Sequence, residues 1–187
     1  MSTWQLDTAH TVVSFTAKHM MITKVRGIFK GVTGTIDFNE ADPASSSVEV
    51  TIPSGTIETG MEPRDSHLRS ADFLDAENHP TLTFVSRGIA PQGDRWAIKG
   101  DLTIRGVARP VVLDAAPLGV VTGMDGRPHA GFEASARIRR SEWGLGWNVG
   151  LEAGGWLVSD EIVIELEVAA DEVATAASGD RVADLAA

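Results

Sequence analysis

The sequence predicts an all-β protein built as a single antiparallel β-barrel with one short helical interruption. Apolar and polar residues alternate over 94–104, 129–138 and 161–168, and this period of two is typical of strands with one buried face. A stretch near 60–75 breaks the period and suits a short helix. Strands in series with one helical interruption favour an antiparallel barrel over a parallel α/β sheet, and a barrel also removes its sheet edges.

The first half of the chain is predicted to hold four strands before the helix. A short strand at 4–7 leads into a strand at 11–19. Residues 27–38 are expected to form one long strand broken by Gly31 and Gly34, because glycines inside a strand indicate a bulge, a bend or a close backbone approach. A turn-rich connection from Glu40 then leads to the strand at 47–52.

The second half is predicted to contain strands at 81–85, 94–104, 109–113, 129–139 and 159–169, with a connection at 118–128. A segment rich in glycine and tryptophan, 143–156, is either a mobile lid over the mouth or a plug formed by Trp143 and Trp147. Residues 1–170 are interpreted as the barrel domain. Residues 171–187 are interpreted as a flexible, acidic and alanine-rich tail with too little apolar area to fold.

Composition excludes several classes of function. The 187 residues include no cysteine, so disulfides and thiolate metal sites cannot form. The net charge of −10 argues against nucleic acid as a partner and disfavours docking on an anionic membrane surface, although a local cationic cluster can still attract an anionic ligand. No membrane-spanning stretch is expected, and the N-terminus lacks a basic, apolar leader, which predicts a cytoplasmic protein.

Several ordered motifs resemble the YceI-like family of lipocalin-like, polyisoprenoid-binding proteins. They begin with Trp4-x-Leu6-Asp7-x-x-His10 and continue with Arg64-Asp65-x-His67-Leu68 and Asp72-Phe73-Leu74-Asp75. The later motifs are the run at 100–107 with Pro110-Val111, then Arg140-Ser-Glu-Trp-Gly144 and Val158-Ser-Asp160. The resemblance implies a lipocalin-like β-barrel with a short helix near the barrel mouth. It also implies a long-chain isoprenoid ligand in an apolar interior, either a polyprenyl phosphate or an isoprenoid quinone. No other cofactor is required, and a homodimer is compatible with it.

The interior residues predicted to contact such a ligand are those on the inward face of each strand, together with the inward His19 and the loop residue Trp143. Small residues among them would leave room, and large ones would shape the walls. The full predicted set is Phe15, Ala17, His19, Ile36, Phe38, Val50, Ile52, Leu82, Phe84, Trp96, Ile98, Leu102, Phe132, Ala134, Ala136, Trp143, Ile164 and Leu166. Alternation alone favours a solid core filled by these side chains, because small barrels are usually filled in this way, whereas the resemblance favours a hollow interior.

A second set of candidates, Arg64, Asp65, His67 and Arg69, is predicted at the head-group or rim position. An arginine suits a phosphate, whereas Asp65 is interpreted as a helix cap. The function predicted is a non-enzymatic carrier or scavenger of an isoprenoid lipid. The alternatives are a small hydrolase or isomerase using Asp65, His67 and a nearby hydroxyl, and a stress-related interaction protein with a packed core. The five histidines are too scattered to predict a metal site.

Overall fold

Ten antiparallel strands form one sheet that closes into a barrel in the computed structural model, which describes residues 1–39, 41–152 and 154–173. Strand β1 closes the sheet by pairing with both β4 and β10. The strands are β1 (Ser2–Leu6), β2 (Val12–His19), β3 (Thr23–Phe29), β4 (Thr33–Phe38), β5 (Ser47–Pro53), β6 (Thr81–Gln92), β7 (Arg95–Ile104), β8 (Val107–Thr122), β9 (Pro128–Arg139) and β10 (Glu161–Glu172). The predicted antiparallel barrel is confirmed.

The ten strands fill eight positions around the barrel because two of those positions are each shared by two short strands. Strand β10 pairs with β2 over 163–167 and with β1 over 170–172, so β1 and β2 lie end to end along the same edge. Thr11 bridges the break between them, since its hydroxyl donates to the Ala169 carbonyl and accepts from the Ala169 N–H. Strands β3 and β4 likewise follow one another with a break at 30–32, where Gly31 has a φ of 69°.

The wall between β3 and β5 is completed by a short segment rather than by strand pairing. Ile28 and Glu58 exchange two backbone hydrogen bonds, of 2.9 and 3.0 Å. The Thr56 hydroxyl adds two more by accepting from the Lys30 N–H and donating to the Lys30 carbonyl. Residues 54–59 therefore close the barrel at this position.

The two ends of the barrel differ in structure. The helix α1 (Glu62–Arg69), the β2–β3 turn and the connection 140–160 lie at one end, which we call the helix end. The β8–β9 hairpin and the β6–β7 turn lie at the other, which we call the hairpin end. The predicted short helix is thus confirmed at one mouth of the barrel. Across the described ranges, no helix has the length and apolar character to cross a membrane.

Strand β8 is much longer than the sequence indicates, because it continues to Thr122 and includes the first five residues of the predicted connection at 118–128. Leu118 is left out of the ladder between Pro117 and Gly119 as the extra residue of a bulge, and Gly119, a residue type that indicated a loop, is paired with Gly131. The β8–β9 hairpin consequently carries exposed apolar side chains, Leu118, Val120, Val121 and Met124.

The last strand also runs past the predicted domain boundary at residue 170. Strand β10 ends at Glu172, and the Val173 N–H donates to the Thr3 carbonyl. The division into a 1–170 domain and a 171–187 tail stays a prediction. Residues 174–187 lie outside the described residues.

A histidine at the hairpin end is held between two carboxylates. The His129 ring contacts Asp125 at 3.0 Å through Nε2 and Asp171 at 2.6 Å through Nδ1. These hydrogen bonds, with Asp125 as the larger influence, raise the pKa of His129 above its usual 6.5, and the same contact lowers the pKa of Asp125. Through these two contacts, His129 links the β8–β9 hairpin to β10.

We expect this pairing to stabilise the hairpin end in acid and to weaken at higher pH. The folded protein holds the His129 proton more tightly than the unfolded chain, so the contribution is complete below about pH 6.5 and is lost as the pH rises through the raised folded pKa. An NMR titration of the His129 ring should give a pKa above 6.5 that Asp125→Asn lowers. A pKa that Asp125→Asn and Asp171→Asn both leave unchanged would contradict this interpretation.

Gly100 on β7 allows close packing that any side chain would obstruct. A Cβ at this position would lie 2.4 Å from Cζ of Phe84 and 2.5 Å from the Val85 carbonyl oxygen. We expect Gly100→Ala to lower the free energy of unfolding by about 1–3 kcal/mol, because backbone must shift to relieve the contact. Urea denaturation would measure this. Gly88→Ala is the control, since its Cβ would meet nothing within 4 Å, and equal losses in both variants would contradict the packing argument.

Candidate ligand-binding cavity

The barrel encloses a cavity of about 170 Å³, counted as the space open to the centres of water molecules. One water needs only about 10–15 Å³ on this measure, so the cavity is much larger than a packing defect. Almost all of its surface is apolar. It is lined by Val13, Ser14, Phe15, Ala17, Phe29, Val50, Ile52, Ile57, Leu68, Phe73, Leu74, Leu82, Phe84, Leu102, Ile104, Val111, Leu113, Ile138, Arg140, Leu145, Val158, Ile162, Ile164 and Leu166. A fully packed interior, one of the predicted alternatives, does not describe this barrel.

Half of the interior residues predicted from alternation line the cavity. They come from five of the ten strands, and all of them point inward as their position in the alternation predicts. They are Phe15, Ala17, Val50, Ile52, Leu82, Phe84, Leu102, Ile164 and Leu166. Their part in binding a ligand stays a prediction.

The other predicted interior residues lie outside the cavity lining, most of them toward the hairpin end. Phe38 and Trp96 pack edge to face there, with ring centroids 6.2 Å apart. Most of the remaining predicted residues pack in the same half of the barrel or in its core. His19 instead pairs with Val158 at the end of β2. The remaining residues of this set are Ile36, Ile98, Phe132, Ala134, Ala136 and Trp143. The barrel is therefore packed at the hairpin end and hollow toward the helix end.

The helix end contributes lining residues that strand alternation could not identify. Leu68, Phe73 and Leu74 come from α1 and the turn after it, and Leu145 and Val158 come from the connection that follows β9. These segments have no period of two, so their inward side chains leave no alternating signal in the sequence. The apolar run Phe73-Leu74 between polar residues was the available indication.

Arg140 is the one charged residue of the described cavity lining, and its side chain is only 6% exposed. Its Nε donates to the Ser159 carbonyl at 3.0 Å, and its Nη1 donates to the carbonyls of Leu145 and Trp147. The guanidinium carbon lies 6.0 Å from the centre of the Phe73 ring. Burial lowers the pKa of Arg140, but an arginine stays charged at neutral pH.

The predicted rim residues Arg64 and Asp65 are engaged with the segment before the helix. The Asp65 carboxylate accepts from the Thr59 N–H at 2.8 Å and from the Thr59 hydroxyl. Arg64 donates from Nε to the same hydroxyl and from Nη2 to the Thr59 carbonyl. The interpretation of Asp65 as the helix cap is wrong, because α1 begins at Glu62 after Met61 and Asp65 binds outside the helix.

His67 and Arg69 also have partners within the helix end. His67 contacts Asp72 at 2.9 Å through Nε2, and its ring stands edge to face against Phe73 and Trp147. Arg69 pairs with Glu62. All four predicted rim residues thus lie at the helix end, and their role toward a head group stays a prediction.

The residues of the enzymatic alternative are not assembled as a catalytic group. Asp65 binds Thr59 whereas His67 binds Asp72, and Ser66 is exposed on the helix. A triad requires the three side chains to converge, which this arrangement does not provide. Within the described ranges, no group of three or more histidine or acidic residues is placed to hold a metal ion.

Trp143 acts as a plug, one of the two roles considered for the glycine- and tryptophan-rich segment. It is 1% exposed, and its Nε1 donates to the Leu102 carbonyl at 2.9 Å. Trp147 packs against His67 and Phe73. Trp143 therefore fixes the start of this segment against strand β7, and Trp147 fixes it against the helix and the turn that follows.

A closed antiparallel barrel with an apolar cavity and a short helix at one mouth defines a lipocalin-like protein. The chain belongs to the YceI-like family, since the YceI-like domain model matches residues 4–170. It is 38% identical over 141 residues to protein YceI of Escherichia coli O157:H7, which covers 75% of this chain and 74% of that relative.

Solved structures agree with this assignment. BcnA of Burkholderia cenocepacia aligns with a TM-score of 0.75 and 27% identity over 88% of this chain and 98% of BcnA. A polyisoprenoid binding domain from Saccharophagus degradans shares the fold, with a TM-score of 0.65 and 13% identity over 91% of this chain and 98% of that domain. Neither protein YceI nor the polyisoprenoid binding domain is named as an enzyme.

We expect Arg140→Met to lower the free energy of unfolding by about 2–4 kcal/mol, because three carbonyl groups would lose a charged donor. Thermal or urea denaturation would measure the change. Arg139→Met is the matched control, since its side chain is exposed and surface changes of this kind cost less than about 0.5 kcal/mol. Equal stability of the two variants would show that the buried hydrogen bonds contribute nothing.

Proposed function

We propose that this protein binds an isoprenoid lipid, a polyprenyl phosphate or an isoprenoid quinone, inside the barrel and carries or sequesters it without chemical change. The observation that carries this proposal is the apolar cavity, whose lining combines aromatic and branched side chains with a single charged group. Such a wall favours an unfunctionalised hydrocarbon chain over a polar metabolite, because it offers a polar ligand almost no hydrogen bonds.

The hydrophobic effect supplies the affinity. Each Å² of apolar surface removed from water contributes about 25 cal/mol, set against the loss of freedom of the chain. A cavity of this volume is close to one of about 150 Å³ known to admit benzene. It therefore receives the end of an isoprenoid chain, and further isoprene units continue past Leu68 and Val158 toward the helix end.

The head group then lies at the helix end. Arg140 uses Nε and Nη1 for protein carbonyls, which leaves Nη2 without an acceptor among the described residues. A phosphate or quinone oxygen is a suitable acceptor for that donor. His67 and the exposed side of α1 are the neighbouring polar groups, in keeping with the predicted rim set of Arg64, Asp65, His67 and Arg69.

The fold of the Saccharophagus degradans domain supports this ligand class, because a protein of the same architecture is described as polyisoprenoid binding. The homologous relatives, being named without an enzymatic activity, support a binding role over a catalytic one. A cytoplasmic location and a homodimer remain predictions of the sequence.

Native mass spectrometry of the purified protein, followed by lipid extraction, tests the proposal. We expect a stoichiometric isoprenoid mass, or uptake of an added ubiquinone or menaquinone analogue by lipid-free protein. Repeated purification without such a lipid, together with failure to take up either analogue, would contradict the proposal.

Ala17→Phe tests the cavity itself, because Ala17 is a small residue of the wall and a phenyl ring there would occupy the space for the chain. We expect uptake of the quinone analogue to fall at least tenfold while far-ultraviolet circular dichroism stays unchanged. Ala108→Phe adds the same ring at an exposed position of β8 and should leave uptake intact. Equal uptake by both variants would place the ligand elsewhere.

A further inference from the structure

The turn between β2 and β3 exposes three consecutive apolar side chains at the helix end. Met20 is 45% exposed, Met21 is 50% exposed and Ile22 is 82% exposed. The Ile22 N–H donates to the His19 carbonyl at 3.1 Å, and the two central residues, Met20 and Met21, have φ angles of 51° and 62°. This is the geometry of a type I′ turn, which asparagine and glycine normally occupy.

Methionine is an unfavourable residue at both central positions of this type I′ turn. Left-handed φ angles are unfavourable for residues with a long side chain, and such departures tend to occur where the side chain itself has a role. Met20 and Met21 are about half exposed and do not belong to the apolar core, so core packing does not explain their left-handed angles. The presence of methionine at these two positions is therefore better explained by the apolar side chains that the turn exposes than by the conformation of its backbone.

A neighbouring loop extends the apolar surface. The Met20 N–H donates to the Leu157 carbonyl at 2.8 Å, and Gly155 lies beside Met21. The same loop carries Trp156, 56% exposed, and the exposed Val149. We call Met20, Met21, Ile22, Val149 and Trp156 the apolar rim.

The hairpin below the apolar rim is cationic in an otherwise acidic chain. The chain has 26 acidic residues, yet residues 8–36 contain none and include Lys18, Lys24, Arg26 and Lys30. Lys18 and Lys24 are exposed and directly opposite each other in the ladder, an arrangement of like charges that is unfavourable unless an anion joins them. Of these four cations, only Lys30 has an ion-pair partner in the described ranges, Glu58.

The two carboxylates that follow Ser159, the residue bonded to the Lys18 backbone, have partners of their own, since Asp160 accepts from Ser141 and Glu161 pairs with Arg137. Glu165 and Glu167 on β10 pair in register with Ser14 and Val12, at the end of β2 that lies away from the turn. Glu152 is the acidic residue of the loop that carries Trp156. A cationic hairpin with an apolar tip thus projects beside the mouth of the cavity.

We propose that the apolar rim and the lysines of the β2–β3 hairpin dock the helix end of the barrel on an anionic phospholipid bilayer. Methionine, isoleucine and tryptophan side chains enter the boundary between head groups and acyl chains, while Lys18 and Lys24 meet lipid phosphates. The local charge thereby overrides the net charge of −10, which disfavours such a surface when it is considered alone. This docking goes beyond ligand binding and requires no lipid in the cavity.

The opposite end of the barrel provides a matched control. The β8–β9 hairpin also exposes apolar side chains, among them Val121 and Met124. Its charged neighbours include Asp125 and Glu133, and it has no pair of opposed lysines. Both ends therefore expose apolar side chains, but Arg95 and Arg127 at the hairpin end pair with carboxylates, whereas Lys18 and Lys24 have no ion-pair partner among the described residues.

Flotation with vesicles of equimolar phosphatidylglycerol and phosphatidylcholine tests the docking surface. We expect the unmodified protein to float with these vesicles and not with phosphatidylcholine alone. Met20→Asn with Met21→Asn keeps a residue suited to the turn but removes the apolar tip, and Lys18→Gln with Lys24→Gln removes the charge. Each of these two double variants should weaken binding by about tenfold or more. For the lysine variant this follows because one lysine at an anionic surface accounts for about fivefold.

The control variant at the hairpin end, Val121→Asn with Met124→Asn, should leave flotation unchanged. Vesicles should shift the tryptophan fluorescence of the unmodified protein to the blue, and Trp156→Phe should abolish that shift. Absence of binding by the unmodified protein, or equal binding by all variants, would overturn the proposal. So would a dimer in sedimentation velocity that the tip variant converts to a monomer, since the apolar rim would then face a second copy. Ala17→Phe separates the two proposals, because it should lose quinone uptake while it retains vesicle binding.

Discussion

The pairing of β10 with two strands along the same edge is the constraint on which the rest of the structure depends. Strand β9 occupies one side of β10, and β1 and β2 share the other. This arrangement closes the sheet, and closure divides every strand into an inner and an outer face. The cavity exists because the inner faces toward the helix end do not fill the space that closure encloses.

The interior combines an apolar wall with one strongly bonded cation. Arg140 is stabilised by carbonyl oxygens and the Phe73 ring rather than by a buried carboxylate. Asp160 lies near enough to interact with the Arg140 charge but makes no ion-pair contact with it, so the guanidinium is not neutralised by a bound carboxylate. The barrel thus places an apolar volume and a positive group within a single site, which suits an amphiphile with an oxygen-bearing head.

Alternation predicted the barrel and the inward face of each strand, but it could not predict the height of a residue along the barrel axis. Phe84 and Trp96 have equivalent inward positions in the pattern, yet one lines the cavity and the other packs at the hairpin end. The length of strand β8 was underestimated because Gly119 is a residue type common in loops, and the bulge that precedes it is not visible in the sequence. Arg140 was not predicted as a cavity residue because it comes after the last alternating residue of β9. The left-handed φ angles of Met20 and Met21 were not predicted because they depend on backbone hydrogen bonds that composition does not reveal.

The segment that closes the wall beside β3 is also the attachment of the helix. Glu58 is bonded to Ile28, while the next residue, Thr59, is held by both Asp65 and Arg64 of α1. A force that lifted the helix from the mouth would therefore pull on the barrel wall through a single peptide unit. We therefore expect movement of the helix to be coupled to movement of the wall to which it is joined.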